Sequence, residues 1–354
     1  MIRRISRRQF LAGISILASA RQGDITSPVP GLPDTISQTM ARFRIPGISF
    51  ALITEGRQIW TRGFGVKDTR ANDPVNVDTV FAAGSLTKPV FAYAVLALVE
   101  QKLLALDTPL AAHLPDDLLR KEPRLRLVTA RMLLSHTSGI AAPLEAPTFN
   151  FPPGERFAYA STGFLLLQLV VERVTGKSLA EFMRVNLLEP LGMDSSSFEW
   201  TDRLRTSAAV GHFENGQSRA NRFDRQPTAA ASLLTTARDY ARFVAEILQP
   251  SRLDRFHISE ALKKEMSKPQ VKVADRLAWG LGWGLEEAGS GHMLWHWGDQ
   301  DIFKSFVFID PIRRSGLVIF TNSRNGSKSY SPIIDRAVGG QHPSLSWLES
   351  NRLL

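Results

Sequence analysis

Strand-like runs lie at both ends of this 354-residue chain and helix signals fill its middle, an order that leaves few architectures open. Near the N-terminal end, 48–54 and 58–65 are rich in β-branched and aromatic residues, and Glu55-Gly56-Arg57 between them predicts a hairpin. Beyond about residue 275 come four more short runs, 282–286, 293–297, 305–309 and 317–321, punctuated by Asp310-Pro311 and Asn322. Spacings of roughly ten residues with tight turns predict antiparallel neighbours. Between the two groups, Asp107 with Pro109 marks a helix start, and Thr129 is placed to cap 130–134. The apolar run 163–174 stops at Gly176, Ser178-Leu179-Ala180-Glu181 has the capping-box pattern, and Thr236 opens a helix over 237–248 that Pro250 closes. A brief helix is predicted over 331–338. The economical fold is α+β: one antiparallel sheet joins the first and last strand groups, flanked by helices, with a mostly helical inserted subdomain. The sheet part spans about 35–105 plus 275–340, the insertion 106–274, and 341–354 reads as a C-terminal tail.

The first twenty residues differ from the rest. Arg3, Arg4, Arg7 and Arg8 precede a short apolar stretch, and Ala18-Ser19-Ala20 follows as a small-x-small cleavage pattern. The apolar stretch is about half what a bilayer requires, so a stable membrane span is not expected. Ser6-Arg7-Arg8-Gln9-Phe10-Leu11 resembles the bacterial twin-arginine export signal, which predicts a periplasmic protein. An uncleaved anchor is the other reading of this segment. Residues 21–34 are polar and Pro-rich and read as a linker. Removing the signal, with its four arginines and no acid, lowers the formal charge from +9 to +5. The remaining Lys and Arg are scattered without interleaved aromatics, so no nucleic-acid partner is expected. With no cysteine, disulfides, thiolate chemistry and cysteine-ligated zinc are excluded. The seven histidines do not pair at metal-ligand spacing, so neither metal nor cofactor is expected.

Within the first third stands the chain's one Ser-x-x-Lys, Ser85-Leu86-Thr87-Lys88, directly before the apolar run 90–99. Helical positions three apart share a face. The run predicts a buried helix that holds both side chains rigidly. A serine hydroxyl is a weak nucleophile until a neighbour takes its proton, and a desolvated lysine can do so. Taken alone, the motif is equally compatible with a helix start carrying a surface lysine. Pro89 removes a helical hydrogen bond to the Ser85 carbonyl, tolerable in a first turn. There is no Gly-x-Ser-x-Gly elbow. Gly280-Leu281-Gly282-Trp283-Gly284 lacks the residues of a phosphate loop and reads as strand or turn.

Two further stretches complete a serine site: Tyr159-Ala160-Ser161, behind the turn Pro153-Gly154, and His296-Trp297-Gly298, followed by Asp299. In order and rough spacing these three groups resemble the boxes of serine β-lactamases and penicillin-binding proteins. The resemblance is to the class C branch and its related esterases and D-peptidases. Leu134-Ser135-His136-Thr137-Ser138-Gly139, Leu188-Glu189-Pro190-Leu191-Gly192-Met193 and Trp279 to Trp283 add to it, over most of 35–325. It implies a β-lactamase/DD-peptidase-like catalytic domain over 35–340 and an acyl-enzyme on Ser85. It also implies that Lys88 and Tyr159 share the proton work, a cationic Lys88 favouring the tyrosinate. The oxyanion would sit between the backbone N–H groups of Ser85 and Asp299. Ser161, His296, Trp297, Gly298 and Asp299 would face the substrate, a small molecule or short peptide of peptidoglycan or β-lactam type. His136 is read as structural. Loops 142–152 and 211–226 are expected to line the cleft.

Two positions depart from the pattern. Ser161 stands where the second box usually ends in Asn, and offers one hydroxyl where an amide has three polar groups. His296 stands where the third box usually begins with Lys, and imidazole titrates near ~6.5. Both departures weaken the case for efficient β-lactam hydrolysis and favour an esterase or D-peptidase. They also suggest that His296 gives the rate a pH limb near neutrality. The alternative of another class is a non-catalytic cell-wall-binding protein on the same fold.

Overall fold

A computed structural model describes residues 27–220, 226–249, 257–289 and 291–353. The export signal, residues 21–26 of the expected linker, residues 221–225 of the expected cleft loop and Pro250 lie outside the described residues. Strands β1 (Gly47–Thr54) and β2 (Gln58–Asp68) form the expected hairpin, in register from Gly47↔Gly65 to Thr54↔Gln58, and β3 (Asp73–Pro74) pairs with β2. The later part of the chain supplies β4 (Val271–Ala274), β5 (Leu277–Trp279), β6 (Gly284–Ala288), β7 (Gly291–Asp299), β8 (Lys304–Asp310) and β9 (Ser315–Thr321). They join into one nine-stranded antiparallel sheet in the order β4-β5-β6-β7-β8-β9-β1-β2-β3. Its seam is the pairing of β1 with β9, Ile48↔Thr321 through Ile53↔Gly316, which brings the two strand groups together. Strands β4 and β5 were not expected. Each is only three or four residues long, too short to show a period in the sequence.

The sheet is covered on both faces. In β1, Ala51 and Ile53 enter one core, while Ile48, Phe50 and Leu52 enter the other. In β8, Val307 and Ile309 likewise oppose Phe306 and Phe308. Alternate side chains therefore point into different apolar layers, and the strands read as continuous apolar runs. One core lies between the sheet and the helical layer and holds α2 (Thr87–Glu100), α3 (Ser161–Thr175) and α4 (Ala237–Leu248). Every residue of α2 from Thr87 to Leu98 is buried, so this helix has no polar face. The other core is closed by α1 (Leu32–Phe43), α5 (Tyr330–Ala337) and α6 (Pro343–Ser350).

The expected caps form where local chemistry dictates them. The side chains of Thr129, Ser178 and Thr236 accept from the backbone N–H of Met132, Glu181 and Asp239, and Gly176 ends α3 in the left-handed region. The capping box at Ser178 is only half made, because the Glu181 carboxylate bonds Lys177 at 2.8 Å instead. Asp107 and Pro109 open a single 3-10 turn, Leu110–His113. Two expectations are corrected. Helix α1 begins at Leu32, inside the segment read as linker: Pro33 sits in its first turn, where a missing N–H is harmless. The segment read as a tail carries α6, with Leu345 and Leu348 buried against the sheet. Among the described residues, no helix is long and apolar enough to cross a membrane, and no group of three or more His, Cys, Asp or Glu is placed to hold a metal.

Candidate active site

Ser85 lies in a single 3-10 turn, Gly84–Leu86, that runs directly into α2. The turn is fastened on both sides. Thr87 Oγ1 donates to the Gly84 carbonyl at 2.6 Å and accepts from the Leu233 N–H at 3.0 Å, while Ser305 Oγ on β8 donates to the Ala83 carbonyl at 2.7 Å. Two glycines let the end of β7 reach this turn. A Cβ on Gly298 would lie 2.1 Å from the Ala83 carbonyl oxygen, and one on Gly84, whose φ is +55°, would lie 3.0 Å from the Asp299 nitrogen. The backbone of Asp299 is thereby set beside the serine turn. Its carboxylate turns elsewhere, to Lys304 Nζ at 2.6 Å and the Asp301 N–H at 2.8 Å.

Lys88, the second residue of α2, is fully buried. Its Nζ lies 2.9 Å from Ser85 Oγ and donates to the Ala230 carbonyl at 2.9 Å. It also sits over the rings of Tyr159, 5.1 Å from the centroid, and Phe164, at 5.7 Å. Among the described residues no carboxylate compensates the burial, and desolvation brings the lysine down to about 7. Tyr159 occupies the extended segment before α3, with its hydroxyl buried and making no hydrogen bond of good geometry. Burial pushes this phenol up, opposed by its approach to Ser85. The expectation of a tyrosinate held by a charged lysine is therefore corrected. Desolvation disfavours both charges, so the neutral amine with the neutral phenol is the pairing this site supports above about pH 7.

His136 fixes Tyr159 in place. The His136 carbonyl accepts from the Ala158 N–H at 2.9 Å, its Nδ1 accepts from the Ala160 N–H at 3.1 Å, and its ring lies 4.4 Å from that of Tyr159. Burial, and then the charge of Lys88, hold this imidazole well below its ordinary range, so it is neutral with the proton on Nε2. On the opposite side, the Trp297 ring lies 4.7 Å from Tyr159. Trp279 closes the base, at 5.2 Å from His136, 5.5 Å from His296 and 5.9 Å from Tyr159.

His296 is fully buried, with Nδ1 2.8 Å from the Trp297 carbonyl. Burial first, and Lys88 second, bring it to about 3, against the carbonyl bond. The expected pH limb from His296 is corrected: the ring is uncharged across the neutral range because it is desolvated, and Lys88 is the group that titrates near pH 7.

The structure thus gathers Ser85, Lys88, Tyr159, His296, Trp297, Gly298 and the backbone of Asp299 at one place. Ser161 is the first residue of α3 and is exposed. Trp297 is only 5% exposed and supports Tyr159 from beneath, where the sequence suggested a substrate contact. A cleft of about 490 Å³ starts at Asp299 and Ala231, next to the carbonyl that holds Lys88, and does not enclose Ser85 itself. Phe198, Trp200, Leu234, Ile302 and Phe303 form its apolar wall. Of the expected loops, 211–226 contributes Arg219, Ala220 and Gln226, whereas 142–152 contributes nothing to this cleft. Two groups escaped the sequence reading: the Ala230 carbonyl has no residue-type signature, and Lys304 is one lysine among many. His136 was read as structural, but its grip on the Tyr159 segment depends on the fold.

A nine-stranded sheet between helical layers, carrying these three boxes against one serine turn, is the architecture of the serine β-lactamase and penicillin-binding protein superfamily. The chain belongs to the beta-lactamase family, whose model matches residues 32–338. It is 30% identical to penicillin-binding protein 4 of Amycolatopsis lactamdurans, over 83% of this chain and 85% of that protein. It is 24% identical to protein flp of Staphylococcus aureus (strain N315) over 81% of its length, and spans 61% of that longer protein. The octameric penicillin-binding protein homologue from Pyrococcus abyssi superposes with a TM-score of 0.76 at 25% identity, covering 87% of this chain and 76% of that one.

Proposed function

We propose that the chain is a serine hydrolase that cleaves an ester or amide through an acyl-enzyme on Ser85. The observation that carries this reading is the 2.9 Å contact between Ser85 Oγ and the fully buried Nζ of Lys88, an amine brought down to about 7. Above that pH the neutral amine accepts the Ser85 proton along this contact as Oγ attacks the substrate carbonyl. The oxyanion is received by the backbone N–H groups of Ser85 and Asp299, which the close approach at Gly84 and Gly298 supports. Tyr159, still a phenol, passes its proton to the leaving group and is reprotonated from Lys88. Water then repeats the sequence on the acyl-enzyme, with Ser85 as leaving group.

The substrate we infer is an uncharged ester or amide with an apolar arm. A neutral, buried His296 gives a substrate carboxylate no cation to bind, and the Asp299 carboxylate is already paired with Lys304. The cleft beside Asp299 has the volume of a small-molecule site; Phe198, Trp200, Leu234, Ile302 and Phe303 give an apolar arm its contacts, and the one cation among the lining residues, Arg219, is paired with Asp301. A second reading, hydrolysis of a D-peptide or a β-lactam, is favoured by the similarity to a protein named for penicillin binding. Placement in the periplasm rests on the twin-arginine pattern Ser6 to Leu11. Kinetics against a p-nitrophenyl ester, a D-alanyl-D-alanine peptide and nitrocefin separate the readings, with Ser85→Ala as control. Ester turnover that exceeds the other two and vanishes in Ser85→Ala is the expected result. Equal residual turnover in Ser85→Ala would remove the acyl-enzyme reading.

A further inference from the structure

Helix α6 (Pro343–Ser350) lies beyond residues 32–338, where the family match ends, yet it is locked into the sheet by a buried carboxylate. Glu286 on β6 is 2% exposed. Its Oε2 accepts from the Ser344 N–H at 3.0 Å and from Ser344 Oγ at 2.5 Å, and His342 Nδ1 lies 3.0 Å from its Oε1. A carboxylate out of water must satisfy its lone pairs, and here the first turn of α6 does so. The lock sets the rotation of the helix. Leu345 and Leu348 enter the core, and the half-buried Trp347 turns toward the end of the sheet that holds the active site.

There Trp347 joins an aromatic chain. Its ring lies 5.9 Å from Trp295, 6.2 Å from Trp297 and 6.4 Å from Phe157. Trp297 in turn lies 4.7 Å from Tyr159, and Phe157 is two residues before it. The Tyr159 hydroxyl approaches Ser85 but makes no hydrogen bond of good geometry, so its position rests mainly on the rings around it: His136 on one side, Trp297 on the other. Trp347 backs the Trp297 side and braces the strand of chain that leads into Tyr159.

We propose that Trp347 is a positioning residue for Tyr159, acting through Trp297 and Phe157, and that α6 is part of the working hydrolase. The proposal rests on the acyl-enzyme reading. Trp347 touches no reacting atom, so its removal moves the proton-transfer step and leaves substrate binding alone.

The test is kinetics of Trp347→Ala, Trp347→Phe and Leu348→Ala on a p-nitrophenyl ester, with mass-spectrometric detection of fluorophosphonate label on Ser85. The expected result for Trp347→Ala is a kcat roughly tenfold lower with KM within twofold, the scale of one to two lost aromatic contacts. Trp347→Phe should recover most of that loss. Leu348→Ala, which removes core packing from the same helix, should lower the melting temperature at least as much and leave kcat within twofold. Unchanged kcat in Trp347→Ala overturns the proposal. So does a rise in KM alone, which would make Trp347 a substrate contact. An equal fall of kcat in Leu348→Ala overturns it too, since that would be a general effect of loosening the helix. Failure of the wild-type protein to label at Ser85 would overturn the acyl-enzyme reading itself, a result none of the variant comparisons produces.

Discussion

His136 holds the backbone on both sides of Tyr159, by its carbonyl to the Ala158 N–H and by Nδ1 to the Ala160 N–H, while its ring lies 4.4 Å from the phenol ring. In the proposed reaction Tyr159 moves a proton, and with no hydrogen bond of good geometry at its hydroxyl it depends on such a grip. Replacing His136 by Ala leaves the Ala160 N–H unpaired and opens a void beside the ring. The expected loss is about 1–3 kcal/mol of stability and a tenfold or greater fall in kcat. Thermal unfolding together with steady-state kinetics checks both; an unchanged kcat would show that Tyr159 needs no such support.

Lys88 makes stability depend on pH with a definite sign. Folding lowers its pKa from 10.5 to about 7, so between these values the unfolded chain holds a proton that the native chain lacks. Native stability therefore rises as pH is raised from 7 to 10, and the full penalty applies below 7. In Lys88→Met this contribution is absent. The stability difference between the variant and the wild type should shift in favour of the wild type across that interval, by an amount on the order of a few kcal/mol. Urea titrations at pH 6, 8 and 10 measure it, and a difference independent of pH would mean that Lys88 is not desolvated. The same variant should lose roughly two to four orders of magnitude in kcat/KM.

Gly298→Ala places a methyl group 2.1 Å from the Ala83 carbonyl oxygen and 2.2 Å from Ser305 Oγ. The end of β7 must move away from the serine turn, carrying the Asp299 N–H with it. A fall in kcat/KM of about a hundredfold or more is expected, the size of effect associated with a lost oxyanion donor. Normal activity in this variant would place the oxyanion site elsewhere.

His296→Gln keeps a neutral polar side chain on β7. Because His296 is already uncharged near neutrality, the acid limb of the rate near pH 7 should persist in the variant. Loss of the limb would assign it to the imidazole.

What the sequence revealed follows from how local each signal is. Ser85 and Lys88 could be read together because helical geometry alone brings them to one face. Thr129 and Thr236 were legible as caps for the same reason: the bond each makes closes within three residues. Tyr159 and His296 became readable only through their resemblance to the family boxes, since nothing local ties either to Ser85. Their protonation was not legible at all. Imidazole within an aromatic strand carries no mark of being fully buried, and the low value of His296 is a property of the layers packed over β7. The Ala230 carbonyl, 142 residues from the lysine it binds, lies beyond any sequence pattern. Helix α6 was hidden for another reason: its eight residues are too few for a clear period, and its anchor, Glu286, is far away on β6.

The proposed reaction stands on acylation of Ser85 with Lys88 as the group that titrates. The rate at which a p-nitrophenyl ester acylates the protein, followed from pH 5.5 to 9 with the modified peptide identified by mass spectrometry, tests both halves at once. The expected result is a single adduct on Ser85 whose rate rises through a limb near pH 7 and then levels. An adduct on another residue, or a rate that keeps climbing toward the ordinary lysine range near 10.5, would contradict it.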